Sequence, residues 1–195
     1  MKNRLSFVLL SAGALAGLSL IGGCSSLPAP AVNNTPSAAY PISEARLGGF
    51  VHDPLSPEAG SVDLSGEVLF VKPFTSQDPL WNALLPRPDI GGTANFAGKT
   101  SEAYAGLAWD YDVTSRVFVE GGLGGSVNDA HTGLNVPPGY NAMGCNESFR
   151  ESASAGYRLT QNWSVMATVE HMSNAGLCPP NRGLTNFGAR IGYAF

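Results

Sequence analysis

The sequence is poor in charge, in histidine and in cysteine, and each scarcity excludes a class of protein. Only 13% of its 195 residues are charged, and the net charge of −4 provides no basic surface of the kind that binds nucleic acid. No run of 18 apolar residues appears outside the extreme N-terminus, which argues against membrane-spanning helices. No Cys–x–x–Cys or Cys–His spacing indicates a metal site, and neither a metal nor another cofactor is predicted.

The first 24 residues have the pattern of an export signal. Lys2 and Arg4 supply positive charge before the apolar run LSFVLLSAGALAGLSLI. Two cleavage positions are possible. The letters IGGC resemble a lipobox and would leave Cys24 as a lipidated N-terminus, whereas the small residues 29–31 would suit an ordinary signal peptidase. With either cleavage the protein leaves the cytoplasm.

From Glu44 to the C-terminus, apolar residues alternate with polar or small ones, which predicts strands with one apolar face. Residues 25–43 have instead the Pro-, Ser-, Ala- and Asn-rich composition of a linker. Most of the predicted strands approach the roughly 9–11 residues that a transmembrane β-strand needs. The eight predicted strands cover residues 45–51, 61–72, 89–97, 103–112, 115–125, 148–159, 162–172 and 186–195.

Export, eight alternating strands and a terminal aromatic residue together predict an all-β fold, namely an eight-stranded antiparallel transmembrane β-barrel over residues 44–195 in the bacterial outer membrane. Phe195, in step with Tyr193 and Ile191, resembles the assembly signal of outer-membrane barrels. Side chains fill the interior of an eight-stranded barrel, so a water-filled channel is not expected. The charged residues expected to pair in that interior are Arg46, Glu67, Glu120, Arg150, Arg158 and Arg190.

Two long loops are predicted at the extracellular end, over residues 126–147 and 173–185. They contain Cys145 and Cys178, which an oxidising compartment would join in a disulfide, although two free thiols are the alternative. At the opposite end, the segment 73–87 is long for a periplasmic turn, and its letters PLWNALL predict a short interfacial helix.

A His and a Ser stand two positions apart at the end of the seventh strand. His171 and Ser173 share the parity of its apolar residues, so both are predicted to face lipid at the extracellular end, where a base and a hydroxyl suggest chemistry on a lipid. Alternatively, His171 is an interfacial residue and Ser173 the first residue of the loop. His52 and His131 lie in or near other loops and are interpreted as non-catalytic.

The stretch HMSNAGLCPPNRGL, followed by a terminal strand ending in Phe, resembles the PagL-type lipid A deacylase family of outer-membrane acyl hydrolases. The resemblance is sharpest over residues 169–195, and it implies an eight-stranded barrel with a His–x–Ser–Asn motif on its outer face. The roles it implies are Ser173 as nucleophile, His171 as general base, Asn181 and the backbone amide of Gly176 as oxyanion-hole donors, and Asn174 as a supporting residue.

The sequence departs from the family pattern at one position. The acidic member of the triad would lie at Thr185, where there is no carboxylate. If residues 160–162 form a three-residue turn, Glu151 lies directly across from His171, with Cβ atoms about 4.5–5.5 Å apart. Glu151 is therefore predicted to orient the imidazole. Alternatively, it is a solvated residue above the membrane.

These observations predict a serine-dependent outer-membrane hydrolase that removes an acyl chain from lipid A, with lipopolysaccharide as its substrate. The runner-up is a non-catalytic barrel that stabilises the envelope or presents loops to partners. The missing carboxylate favours the runner-up, whereas the shared parity of His171 and Ser173 favours the enzyme. The sequence carries no signal for the oligomeric state.

Overall fold

Eight antiparallel strands close into a barrel in the computed structural model, which describes residues 41–195. The predicted export signal, both of its cleavage positions and nearly all of the linker lie outside the described residues. The elements are β1 (Ile42–His52), β2 (Ser61–Phe70), α1 (Pro79–Leu84), β3 (Arg87–Asn95), β4 (Glu102–Asp112), β5 (Val117–Asn128), β6 (Glu147–Arg158), β7 (Trp163–Ser173) and β8 (Leu184–Ala194).

All eight predicted strands are present, and several are longer than predicted. Strand β1 begins at Ile42, inside the segment assigned to the linker, because pairing with β2 extends back to that residue. Strands β5 and β7 continue to Asn128 and Ser173. The two long loops are correspondingly shorter than predicted and cover residues 129–146 and 174–183.

Side chains alternate along the strands between an apolar outer surface and a polar interior. Leu47 and Val62 are 62% and 68% exposed on the outside, whereas Arg46 and Asp63 retain only 2% and 3% exposure inside. This arrangement reverses the usual order of a protein in water and is the order that a transmembrane barrel requires.

The interior charges form a network of ion pairs, as predicted. Arg46 lies between Glu120, at 2.7 Å, and Glu67, at 3.0 Å. Paired charges avoid most of the penalty that an isolated buried ion would carry. Arg158 differs from the prediction because it pairs with Asp112 in a partly exposed position near the strand ends. The remaining predicted arginines, Arg150 and Arg190, both pair with Glu170.

The two ends of the barrel differ. The loop end carries the loops 53–60, 96–101, 129–146 and 174–183, and the turn end carries the connections 71–86, 113–116 and 159–162. Helix α1 lies in the first of these connections, which confirms the short helix predicted there. Asp78 caps it by accepting a hydrogen bond from the Trp81 amide at 3.0 Å. Over residues 41–195, no helix has the length and apolarity needed to cross a membrane.

Candidate active site

His171 and Ser173 both lie in β7, on its outer face and at the loop end of the barrel. Ser173 is the last residue of the strand and pairs with Phe149 of β6, so it does not begin the loop. Both side chains are half-buried. Within residues 41–195, no hydrogen bond joins the Ser173 hydroxyl to the imidazole. Catalytic hydrogen bonds of this kind often shorten only when substrate is bound.

The strands on both sides of β7 place one residue each opposite His171. Glu151 of β6 is its partner on one side, which confirms the register predicted from the three-residue turn. Thr185 of β8 is its partner on the other side. Imidazole Nδ1 lies 2.8 Å from Thr185 Oγ1, whereas Glu151 is exposed and forms no hydrogen bond with the ring in the described part of the chain. Thr185 therefore fixes the ring, whereas the sequence predicted only that a carboxylate is missing at this position.

The backbone of Gly183 packs against the same imidazole. Gly183 has a φ of +70°, and a Cβ added there would lie 2.9 Å from His171 Cε1 and 3.3 Å from Nε2. Any side chain at this position would strain the backbone and displace the ring. Gly183 is not among the site residues that the sequence predicts. A glycine between a loop and the start of a strand is the only signal that marks it.

Asn174 organises the loop that follows Ser173. Its buried amide Nδ2 donates to the carbonyls of Met143 and Cys178 at 2.5 and 2.7 Å. Its Oδ1 accepts the backbone N–H of Gly176 at 2.8 Å. These contacts hold the loop together, and the supporting catalytic role implied for Asn174 stays a prediction. The Gly176 amide, implied as an oxyanion donor, is instead engaged within the loop and is not free for a ligand in this arrangement.

Asn181 is held in a different way and keeps a donor free. Its Oδ1 accepts the backbone N–H of Asn174 at 3.0 Å, which orients the side-chain amide. Asn181 Nδ2 makes no hydrogen bond to any residue from 41 to 195, and the side chain is exposed. The role of Asn181 as an oxyanion-hole donor stays a prediction.

A disulfide between Cys145 and Cys178 ties two loops together next to this site, as predicted. The Cα atoms are 5.7 Å apart, and the bond links the 129–146 loop to the 174–183 loop. The second of these loops carries both Asn174 and Asn181. The disulfide thus restrains the segment that follows the Ser173 strand.

A mainly apolar groove of about 390 Å³ is lined by Phe149, the cross-strand partner of Ser173, and by Asn174, the residue that follows it. Its floor is made by Gly125 of β5 and Phe149 of β6, and Leu177 and the disulfide border it on the loop side. Gly125 carries no side chain, and Phe149 keeps 47% of its surface exposed.

The other two histidines lie elsewhere at the loop end. His52 is fully buried, with Nδ1 at 2.8 Å from Asp63 and Nε2 at 2.9 Å from Glu58. His131 stacks edge-on against Tyr140 in the 129–146 loop. Both ring nitrogens of His52 are occupied by carboxylates, so its contacts are those of a structural residue.

Comparison with known proteins identifies the family. The profile of the family described as lipid A 3-O-deacylase (PagL) matches residues 78–194 of the 195. The chain belongs to this family. The matched range contains β3 to β8 and every predicted site residue from Glu151 to Asn181. Strands β1 and β2 precede it.

Solved structures of other proteins have the same barrel fold as this chain. The crystal structure of the outer membrane enzyme PagL has a TM-score of 0.62 and 15% identity, and it covers 78% of this chain and 100% of that one. The N-terminal β-barrel domain of Pseudomonas aeruginosa OprF gives a TM-score of 0.53 at 12% identity, with coverage of 80% and 98%. No curated protein sequence matches the chain. The family and the fold together show an outer-membrane β-barrel.

Proposed function

We propose that this chain hydrolyses an ester-linked acyl chain of lipid A, with Ser173 as the nucleophile and His171 as the general base. The observation that carries the proposal is the position of both residues on the lipid-facing surface of β7 in a member of the lipid A 3-O-deacylase family. A hydroxyl and an imidazole on this surface can contact an ester of a lipid while the lipid stays in the membrane.

The position of the imidazole supports a different role for each of its two nitrogens. In the tautomer with a proton on Nδ1, that N–H donates to Thr185 Oγ1, and Nε2 is left as the base. Nε2 then removes the proton of Ser173 as Oγ attacks the ester carbonyl. The imidazolium returns that proton to the departing alcohol oxygen, and a water activated by the same nitrogen releases the fatty acid from the acyl-enzyme.

The attack forms a tetrahedral intermediate whose oxyanion must be stabilised by a hydrogen-bond donor. We assign this role to Asn181 Nδ2. Its Oδ1 is already fixed by the Asn174 amide, so the group is oriented before substrate arrives. Loss of one such donor costs about 10²–10³-fold in rate in well-studied hydrolases.

Glu151 has a weaker role in this proposal than the sequence alone implies. It is the cross-strand neighbour of His171 but does not hold the ring, because Thr185 occupies Nδ1. We propose that its carboxylate stabilises the imidazolium through space. Being exposed, it contributes less than a buried and hydrogen-bonded acid would.

The apolar groove beside Ser173 suits the acyl chain of the substrate. Its volume is about 390 Å³, and its lining includes Phe149, the cross-strand partner of Ser173, and the apolar Leu177. Lipid A in the outer leaflet can then approach sideways, with its ester at Ser173 and its polar part toward the loops.

Mass spectrometry of lipid A tests the proposal. Lipid A is extracted from outer membranes that contain the wild type, Ser173→Ala, or the control Ser101→Ala. Ser101 is a half-buried serine at the loop end that accepts a bond from the Asn95 amide. Loss of one acyl chain with the wild type and the control, but not with Ser173→Ala, supports the proposal. Unchanged lipid A with all three folded barrels leaves the non-catalytic barrel as the better account.

A further inference from the structure

The pairing between β1 and β8 stops just before the candidate site, and the side chains of Asp53 and Asn186 continue it. The last paired residues are Val51 and Phe187. Beyond them, the backbone N–H of Thr185 donates to Asp53 Oδ1 at 3.1 Å, and the Asp53 N–H donates to Asn186 Oδ1 at 3.0 Å. Asp53 thus takes the place of the backbone hydrogen bonds that are absent there. It fixes the start of β8, where Thr185 contacts the ring of His171.

Asp53 reaches this position through an unusual backbone conformation. Its φ is +34°, in the left-handed region that a residue other than glycine adopts at a cost. This conformation ends β1, and the side chain lies beneath the loops with only 5% exposure. An unfavourable backbone held by surrounding contacts is typical of positions that serve a site.

The carboxylate of Asp53 is held entirely by neutral donors. Oδ1 accepts the Thr185 amide, and Oδ2 accepts Asn141 Nδ2 at 2.6 Å. In the part of the chain that the structure describes, Asp53 takes part in no ion pair. A buried negative charge without a paired cation favours positive charge on a neighbouring group. Its bond to Thr185 connects Asp53 with one group that can gain such a charge, the imidazole of His171.

We propose that Asp53 is a positioning residue for His171, acting through Thr185, and that it supplies the negative charge that a carboxylate at position 185 would otherwise bring. This inference rests on the proposed function of Ser173 and His171. Thr185 has a stiff β-branched side chain, so fixing its backbone also fixes its hydroxyl against Nδ1. The charge of Asp53 adds stabilisation of the imidazolium that forms when Ser173 is deprotonated.

Other acids at the loop end are less suited to this role. Glu58 and Asp63 both bind the ring of His52. Glu151 is exposed on the lipid-facing surface. Asp53 alone among these four is bonded to the residue that holds His171. It also lies before the segment matched by the family profile, so this acid comes from a part of the chain that the family pattern does not cover.

Steady-state kinetics of the full-length enzyme on purified lipid A in detergent micelles test the inference. Asp53→Asn keeps an acceptor for the Thr185 amide but removes the charge, and Asp53→Ala removes both. We expect kcat to fall about tenfold for Asn and about a hundredfold for Ala, with KM nearly unchanged, because the substrate does not contact Asp53. The control is Asp129→Asn, whose carboxylate accepts the Ser101 amide at 2.7 Å between the loops 96–101 and 129–146 and whose loss should leave kcat unchanged.

A double-mutant cycle with Thr185→Val separates positioning from a general loss of stability. If Asp53 acts through Thr185, the double variant Asp53→Ala/Thr185→Val loses clearly less activity than the product of the two single losses. Multiplicative losses, or a wild-type kcat for Asp53→Asn in a folded barrel, overturn the inference. An active Ser173→Ala enzyme would instead overturn the proposed function itself, so the two failures are distinguishable.

Discussion

Thr185 Oγ1 lies 2.8 Å from Nδ1 of His171, at the position where the family pattern places an acid. A hydroxyl can fix the orientation and the tautomer of an imidazole, as a carboxylate does. Being neutral, it adds no charge to stabilise the imidazolium. In the proposed mechanism, two tasks of an acidic triad member are therefore separate. Orientation belongs to Thr185, and charge must come from residues around it.

Replacing Thr185 by Val tests the orienting contact. Valine keeps the shape of the side chain but cannot bond Nδ1, so the ring loses its fixed tautomer. We expect kcat on lipid A to fall by about 10–100-fold with little change in KM. Thr185→Ser restores the hydroxyl on a less rigid side chain and should recover most of the activity. Equal activity of the Val and Ser variants would show that the contact does not serve catalysis.

Gly183 offers a test of the packing behind the imidazole. In Gly183→Ala, the new Cβ would lie 2.9 Å from His171 Cε1, so we expect activity to fall by about a hundredfold in a barrel that still folds. Gly98→Ala is the control, because Gly98 has a similar φ of +77° and an added Cβ there meets nothing within 4 Å. Both changes carry the backbone cost of a left-handed alanine, about 1 kcal/mol. If the two variants lose the same activity, strain rather than contact with the ring explains the effect.

The barrel could be predicted because its signals are local. Alternation with period two gives each strand and its faces, and the short turn at 160–162 sets the register that places Glu151 opposite His171. Ladders between strands that are neighbours in sequence follow from such turns. The pairing at the loop end therefore agreed with the prediction.

The partners of His171 could not be predicted in the same way. Thr185 reaches the ring only after the ten-residue loop 174–183, whose path depends on the disulfide and on the amide of Asn174. Asp53 reaches Thr185 only when β1 closes against β8, a contact between residues 132 positions apart. No spacing rule covers such contacts. The hydrogen bond from the Gly176 amide to Asn174 Oδ1 likewise depends on the folded loop and cannot be deduced from its sequence.

The disulfide gives a prediction about the same loop. The bond between Cys145 and Cys178 closes a segment with a sequence separation of 33, for which chain entropy alone gives a stabilisation of about 3–4 kcal/mol. Cys145→Ser/Cys178→Ser should lower the urea midpoint of unfolding and reduce kcat about tenfold, since Asn181 would be less restrained. Dithiothreitol should reproduce this loss in the wild type and have no effect on the double variant. Full activity of the reduced enzyme would show that the loop holds its shape without the bond.

Glu58 provides a prediction about acid stability, because it joins three loops at the loop end. Its buried carboxylate accepts bonds from the His52 ring and from the backbone amides of Asn141 and Thr100. Burial by itself would raise the pKa of Glu58, but the bonds from His52, Asn141 and Thr100 outweigh it and lower the pKa from 4.5 to about 2. A lowered pKa in the folded state means that folding favours the ionised form.

The sign of this shift fixes the pH window in which stability is lost. The stabilisation by Glu58 is complete above a pH of about 4.5, the value of the unfolded chain, and disappears as the pH falls from there to about 2. Urea unfolding in detergent across this window should therefore show a midpoint that falls with pH in the wild type. Glu58→Gln should have a lower midpoint at neutral pH and a flatter curve below 4.5. Glu147→Gln, which changes an exposed carboxylate at the same end, should retain the wild-type slope. A wild-type slope in Glu58→Gln would mean that another acid controls the response.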